Sequence, residues 1–379
     1  MKKICFIATI SKTIEWFLLE HAEYLANNNF DVYIVCNNDN TLKNKISNNI
    51  TYIPVEMKRG IDFTAVKSII QLIKVFKQYK FDVIQYTTPN ASMYASLAGV
   101  ITKIPHRIYR QWGMVYIGFS GIKHKIFKAI EKFICSCSTF ILPDSFGNLE
   151  FCRENKFYSS SKSQVILNGS ATGIDFSKFD ISQKTKWKKE IREQYNLSDN
   201  DFVFGFIGRI NKDKGITELL KSFKEFSQQF SAKLFLVGLL DGEDEIDADL
   251  FIWAKNSSNV IFVDVTDVAQ KYYSAFDVFV LPSYREGFGS TIIEAEAMGI
   301  PVITTNIPGP SEAIKNNITG ILVKPKDSIS LTQAMIKLFN NPGLCVTMGN
   351  AGNQFVKSNF SRNDLFKANL EFLKYIINE

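Results

Sequence analysis

The chain has 379 residues and a formal net charge of +6. At roughly 100–200 residues per domain, this length suggests two domains, and an apolar fraction of 46% supplies a core for each. The modest positive charge, without an aromatic-interleaved basic groove, argues against nucleic acid and suits an anionic donor, an anionic lipid acceptor or a membrane surface; no run of about 18 apolar residues reads as a membrane span.

The first apolar run, Lys3–Ile10, is expected to be a strand. Glu15 and Glu20 follow it with no small-residue cleavage pattern, so it does not read as a signal peptide. Residues 13–28 carry helical periodicity through Phe17, His21, Tyr24 and Leu25. Strands are expected at 31–36 and 51–55, a basic amphipathic helix from Phe63 to Tyr79, and a strand at 81–87. Pro89-Asn90 reads as the turn after that strand, and a small-residue helix at 92–101 follows. Runs at 108–112, 140–142 and 164–167 complete a parallel sheet. The polar, lysine-rich stretch from Asp175 to Asn200, with Trp187 in it, reads as a linker plus a short helix. A second alternating series occupies 202–207, 217–226, 233–237, 260–263, 268–276, 278–281, 290–298 and 301–304, and a helix is expected at 364–377. Alternation of this kind implies parallel sheets covered by helices, with ligands held outside the C-terminal strand ends. The six cysteines lack the spacing of a zinc or redox motif and read as thiols of a reducing compartment.

The densest chemical signal is Pro282-Ser283-Tyr284-Arg285-Glu286-Gly287-Phe288-Gly289-Ser290-Thr291-Ile292-Ile293-Glu294-Ala295. The run 277–281 leading into it reads as a buried parallel strand. Gly287 and Gly289 permit a sharp turn and a close approach of backbone to ligand. With a helix starting near Ser290, the backbone N–H groups of Phe288, Gly289 and Ser290 and the positive end of a helix dipole meet at one point, where an anion is favoured. Glu286 stands at the mouth of the turn and Glu294 about one turn into the helix. Upstream, Arg209 and Lys214 follow a strand, with Gly208 and Gly215 leaving room for a bulky anion. Each reading has a plain alternative. The Arg209 loop could be solvated, as suits Lys212. Glu294 could be a helix glutamate stabilised by the dipole by only ~0.3–1 kcal/mol, a description that suits Glu296 better. In the segment Asp264-Val265-Thr266-Asp267-Val268, Thr266 or Asp267 could cap the next helix.

A glutamate pair spaced by seven residues, followed by Ala297-Met298-Gly299-Ile300-Pro301-Val302-Ile303, resembles the donor-sugar site of retaining glycosyltransferases of family 4, which have the GT-B fold. The resemblance extends to residues 206–215, 264–268, 309–312 and 317–323 and covers most of 200–340, whereas the N-terminal half is similar only in layout. It implies an α/β protein of two Rossmann-like doubly wound parallel-sheet domains facing a central cleft. Residues 1–172 would bind the acceptor and 198–358 the nucleotide sugar, with helix 360–379 packing back on the first domain. It implies that Arg209 and Lys214 neutralise a departing diphosphate without a metal or other cofactor. Glu294 would accept hydrogen bonds from ribose hydroxyls, and Glu286 would lie against the donor sugar, stabilising oxocarbenium-like charge. Backbone groups at Gly208 and Val265 would complete the donor site.

On the acceptor side the first strand leads into Thr9-Ile10-Ser11-Lys12-Thr13, where many members of that family have a glycine pair. Thr9 and Ser11 could contact the ligand, or Ser11 or Thr13 could cap the following helix. A histidine that many members carry before a glycine is absent from Tyr109-Arg110-Gln111-Trp112-Gly113, leaving Arg110 or Gln111 to take part of its role. His21, His106 and His124 have no metal-ligand spacing. The segment Gly121–Ile134 joins a lysine face to an apolar face, and with the lysines at 67, 74 and 77 it suits either an ordinary domain helix or an anionic membrane surface. The resulting expectation is a retaining hexosyl- or N-acetylhexosaminyltransferase. It would use a UDP-sugar donor and a lipid-diphosphate-linked saccharide acceptor in capsule or O-antigen assembly, peripheral at the cytoplasmic face of the membrane. A non-catalytic sugar-nucleotide binder of the same fold is the alternative. A nicotinamide oxidoreductase is disfavoured because no G-x-G-x-x-G follows the first strand.

Overall fold

The computed structural model describes residues 1–38, 40–58 and 64–378. The chain divides into two compact units: Met1–Thr172 together with the chain from Asn363 onward, and Gly173–Arg362.

The first unit is built on six strands: β1 (Lys2–Ile7), β2 (Phe30–Cys36), β3 (Ile50–Pro54), β4 (Val83–Tyr86), β5 (His106–Gln111) and β6 (Phe140–Pro143). They pair in the order β3-β2-β1-β4-β5-β6, every ladder parallel. The near-continuous apolar sequence of β1 follows from this, because a parallel strand is covered on both faces. Ile4 and Phe6 enter one core cluster and Cys5 and Ile7 another, the two-residue alternation of a strand. The helix Arg362–Asn378 contributes Leu365, Leu370, Phe372, Leu373 and Ile376 to the Ile4/Phe6 face.

The second unit repeats the plan with β7 (Val203–Ile207), β8 (Lys233–Val237), β9 (Val260–Val263), β10 (Val278–Leu281), β11 (Val302–Thr305) and β12 (Gly320–Val323). Its order, β12-β11-β10-β7-β8-β9, is that of the first sheet. In such sheets the strand order reverses between the first and fourth strands, and the loops leaving their C-terminal ends form a crevice suited to ligands. That locates one candidate site where β7 and β10 end and another where β1 and β4 end.

Several expectations need correction. Residues 164–167 form no strand; a single bridge joins Ile141 to Ser163, and Leu167 has a φ of +50°. Pro89-Asn90 is the first turn of a helix, Pro89–Ile101, where proline's missing N–H costs nothing. The helix expected at 13–28 is two, Ser11–Phe17 and Leu19–Ala26, with Leu18 between them off the helical conformation. Phe63, expected to open the next helix, lies outside the described residues; that helix is described from Thr64 to Tyr79.

The stretch 175–200 holds the expected short helix, but the rest of it is not a linker. Ile174, Phe179 and Ile191 join the core of the second unit, and the helix Lys184–Gln194 packs on the helix Ala269–Ala275. Its polar composition is accommodated by long-range pairing. Arg192, 2% exposed, donates to the carbonyls of Ser198, Asp201 and Ala275 and to Asp277 Oδ2 at 3.0 Å. Lys184 donates to Gly299 O at 2.9 Å, and burial draws its pKa down to about 8. The helices Ala248–Asn256, Ser328–Phe339 and Pro342–Asn359 were not expected from the sequence.

Candidate active site

The loop after β7 and the loop after β10 are stitched together. The Tyr284 N–H donates to Asp213 O at 2.8 Å, Arg285 pairs with the Asp213 carboxylate, and the Tyr284 hydroxyl donates to Glu218. Within this frame Lys214 Nζ meets Glu286 Oε1 at 2.5 Å, both side chains largely buried, and Ser283 Oγ donates to the same oxygen at 2.8 Å. Two groups singled out from the sequence, 72 positions apart, are therefore in contact. The lysine ends the short helix turn Lys212–Lys214, which Asn211 caps by accepting from Lys214 N through its Oδ1 at 3.2 Å.

Arg209 leaves the same strand end in a different state. It pairs with Asp241 at 3.0 Å, and the two side chains are 53% and 44% exposed. An exposed pair of this kind is worth about 0–1 kcal/mol, so Arg209 is available to a stronger anion at little cost.

Ser290 opens the helix Ser290–Ala297, and Gly289 stands at its cap position with a φ of +92°, a left-handed conformation that L residues rarely adopt. The first turn of a helix has no intrahelical partner for its leading N–H groups, here those of Ser290 and Thr291, while the Ile292 N–H donates to Gly289 O at 2.9 Å. The Phe288 side chain is core, 1% exposed and 5.2 Å from the Phe360 ring, so only its backbone can serve the loop. Gly309 braces the loop from outside: a Cβ there would stand 2.5 Å from Gly287 O and 3.0 Å from Phe288 Cα.

Glu294 is half-buried, and Tyr273 Oη donates to its Oε2 at 2.9 Å. Burial raises its pKa, while the Tyr273 bond and the charges of Lys178 and Arg362 work against the rise. Tyr273 is fully buried on the helix preceding β10, and no local pattern in the sequence marks it. Glu296 differs from its expected role. It is fully buried toward the end of the helix Ser290–Ala297, not in the first turn where the dipole would stabilise it, and burial lifts its pKa to about 8. Gly208 follows β7 and Val265, half-exposed, follows β9. Neither Thr266 nor Asp267 caps the helix Ala269–Ala275; Val268 holds that position and its N–H donates to Thr266 Oγ1 at 3.1 Å.

In the first unit, Thr9 and Thr88 close the switch point: their hydroxyls lie 2.8 Å apart, and Thr9 N donates to Thr88 Oγ1 at 3.1 Å. Ser11 is buried in the first turn of its helix; Ile10, not Ser11 or Thr13, occupies the cap position. Arg110 is 5% exposed, donates to Asn369 Oδ1 at 2.8 Å and is attracted by Asp144, while burial lowers its pKa to about 10. Gln111 is committed to a buried network. Its Oε1 accepts from Tyr158 at 2.9 Å, and its Nε2 donates at 2.5 Å to Glu131, which also accepts from Tyr109 Oη at 3.2 Å. Glu131 escaped the sequence reading because it sits inside a lysine-rich segment; burial raises its pKa to about 7. Among the described residues, no group of three or more His, Cys, Asp or Glu side chains is placed to hold a metal ion.

Residues 188–355 match the family model "Glycosyl transferases group 1", and residues 3–145 match "Glycosyl transferase 4-like". The capsular polysaccharide biosynthesis glycosyltransferase CapM of Staphylococcus aureus is 33% identical over 363 residues, spanning 95% of this chain and 93% of that protein. The UDP-Gal:alpha-D-GlcNAc-diphosphoundecaprenol alpha-1,3-galactosyltransferase of Escherichia coli is 24% identical over 89% of this chain and 87% of its own length. Among solved structures, Anabaena HepE in complex with UDP and glucose superposes with a TM-score of 0.81 at 18% identity, over 99% of this chain and 100% of that one. At that identity the likeness is one of fold, here two six-stranded parallel sheets of the GT-B kind. By its match to the staphylococcal relative along nearly the whole of both chains, the protein belongs to the group 1 glycosyltransferases.

Proposed function

We propose that the chain moves a hexosyl or N-acetylhexosaminyl group, with retention, from a UDP-sugar to a lipid-diphosphate-linked saccharide in capsule or O-antigen assembly. The observation that carries this reading is the Lys214–Glu286 contact at the switch point of the second sheet, beside the helix start at Ser290. The relatives' names support the donor and acceptor: one is a capsule enzyme, and the other is named for moving galactose from UDP-Gal to alpha-D-GlcNAc-diphosphoundecaprenol in an alpha-1,3 linkage. Transfer from an α-linked nucleotide donor into such a linkage retains configuration.

In this reading the diphosphate lies against Arg209, Lys214 and the backbone N–H groups of Gly208, Phe288, Gly289 and Ser290. Glu294 accepts from the ribose hydroxyls, and backbone at Val265 faces the base. The bond between the anomeric carbon and the β-phosphate oxygen breaks, its electron pair leaving with the diphosphate. The acceptor hydroxyl oxygen bonds to the anomeric carbon on the same face, and its proton passes to the departing phosphate. Arg209 and Lys214 balance the charge that develops, with no cofactor in the step. Glu286, released from Lys214, faces the sugar and stabilises its positive character.

Peripheral attachment to the cytoplasmic face of a membrane completes the proposal. No helix of the described residues is long and apolar enough to cross a bilayer. The helix Gly121–Cys137 instead exposes Ile122, Ile126 and Phe133 among Lys123, Lys125 and Lys132. The helix Thr64–Tyr79 exposes Val66 and Ile70. Apolar side chains interleaved with lysines suit an anionic interface.

The test is a set of single substitutions assayed with UDP-sugars and a lipid-linked acceptor. Arg209→Ala and Lys214→Ala should lower turnover more than donor affinity, by about 2.7–4 kcal/mol of barrier, or 10²–10³-fold. Glu294→Ala should weaken donor binding. Unchanged kinetics in all three would end the assignment.

A further inference from the structure

The first unit holds a cavity of about 170 Å3 lined by Thr87, Thr88, Pro89, Tyr109, Arg110, Trp112, Gly113, Val115 and Glu131. A dry cavity of about 150 Å3 can take a benzene ring, so this one has the size for a single six-membered ring. Its wall is chemically mixed. Tyr109, Trp112, Pro89 and Val115 offer apolar surface. Thr87 Oγ1, Arg110 Nε and Trp112 Nε1 are buried polar atoms with no hydrogen-bond partner in the protein, and all three residues line the cavity. Buried donors are nearly always satisfied, so three on one small cavity call for an acceptor-bearing occupant. Glu131 supplies the complementary acceptor, its two oxygens oriented by Tyr109 and Gln111. At the lip, Thr88 holds a φ of +66°, a rare conformation for a β-branched residue and of the kind that gathers at ligand sites.

Charge separates the possible occupants. Arg110 is the cation on the wall, the Asp144 charge already acts on it, and Glu131 lines the same cavity. The cavity therefore has no excess positive charge for a phosphate or a carboxylate. A ring with one apolar face and an edge of hydroxyls, which both donate and accept, meets the aromatic wall, the three donors and the carboxyl together.

We propose that this cavity seats one neutral pyranose ring of the acceptor saccharide, with Thr87 and Trp112 as direct contacts and Glu131 as an acceptor for a ring hydroxyl. The assignment rests on the acceptor reading above and adds residues that were absent from it.

The experiment uses the full chain labelled with 15N, whose four tryptophans give four indole signals. The signal lost in Trp112→Phe identifies Trp112, and the persistence of the other three shows that the variant is folded. Titration with neutral methyl pyranosides, hexose and N-acetylhexosamine, should move the Trp112 indole signal with half-saturation on the order of 1 mM. Thr87→Val and Glu131→Gln should each weaken that titration about 5-fold. Methyl hexuronide and inorganic phosphate should leave the signal unmoved. No saturable shift with any neutral pyranoside overturns the proposal, as does tighter binding of the uronide or of phosphate. A separate titration of the wild-type chain with UDP reports on the donor reading alone, so the two can fail independently.

Discussion

Replacing Tyr273 with Phe removes a single hydroxyl from a fully buried ring and leaves its packing against Phe276 and Phe279 intact. The lost group is the donor held 2.9 Å from Glu294 Oε2. Burial already pushes the Glu294 pKa up, and the tyrosine bond is the first force opposing that push. Its removal therefore raises the pKa further, so that the carboxylate, the form able to accept from two ribose hydroxyls, forms only at a higher pH than in the wild type. A hydrogen bond to a charged group stabilises it by about 1.5–3 kcal/mol, so its loss moves the titration midpoint up by about one to two pH units. On the acid side of that midpoint, UDP affinity in Tyr273→Phe should accordingly fall about tenfold relative to the wild type, corresponding to ~1.4 kcal/mol. The sign with pH is set as well. Affinity should climb as pH rises through the Glu294 pKa and then level off, and the variant should level off at a higher pH than the wild type. Calorimetric titration of both proteins with UDP across pH 5 to 9 reads this directly, and the ionisation of UDP itself cancels between them. Equal affinities, or superimposable pH profiles, would refute the claim that Tyr273 acts through Glu294.

Gly309→Ala should both destabilise the chain and weaken UDP binding, because its Cβ would meet Gly287 O in a left-handed conformation that itself costs about 1–2 kcal/mol; a melting curve and a UDP titration check the two effects. Glu296 has a folded pKa of about 8, above the ordinary carboxyl range, so the stability tied to its neutral form is complete below that range and lost as pH rises through about 8. Glu296→Gln cannot ionise and should match the wild type in melting temperature at pH 5 but exceed it at pH 9, by roughly 2–4 °C for each kcal/mol recovered. Ile122→Glu combined with Ile126→Glu alters two exposed side chains and should leave the melting temperature unchanged, while co-sedimentation with vesicles containing anionic lipid drops about tenfold or more.

The donor-side segments could be read from the sequence because their signals are local. A strand such as β10 announces itself by four consecutive apolar residues, and Gly289 and Ser290 mark the start of the next helix within two positions. In the lysine-rich stretch 175–200 the short helix is legible but its place in a core is not, for the opposite reason. Its polarity is answered by groups far along the chain, above all the Arg192–Asp277 pair, and no window of sequence contains both partners. Glu131 and Tyr273 escaped notice in the same way, each lying in an ordinary helix until the fold brings a partner to it.

The sequence by itself determined the parallel α/β class, the register of apolar and glycine-rich segments in the second half, and the residue types suited to a sugar diphosphate. These depend on periodicity and on backbone conformations that each residue carries with it. The tertiary structure alone decided which loops meet. It set Lys214 on Glu286, gave Glu294 its tyrosine, left Arg209 in an exposed and exchangeable pair, and closed a cavity around Thr87, Trp112 and Glu131. Contacts between residues tens of positions apart are selected by the pairing order of the strands, and that order is a property of the whole sheet rather than of any segment within it.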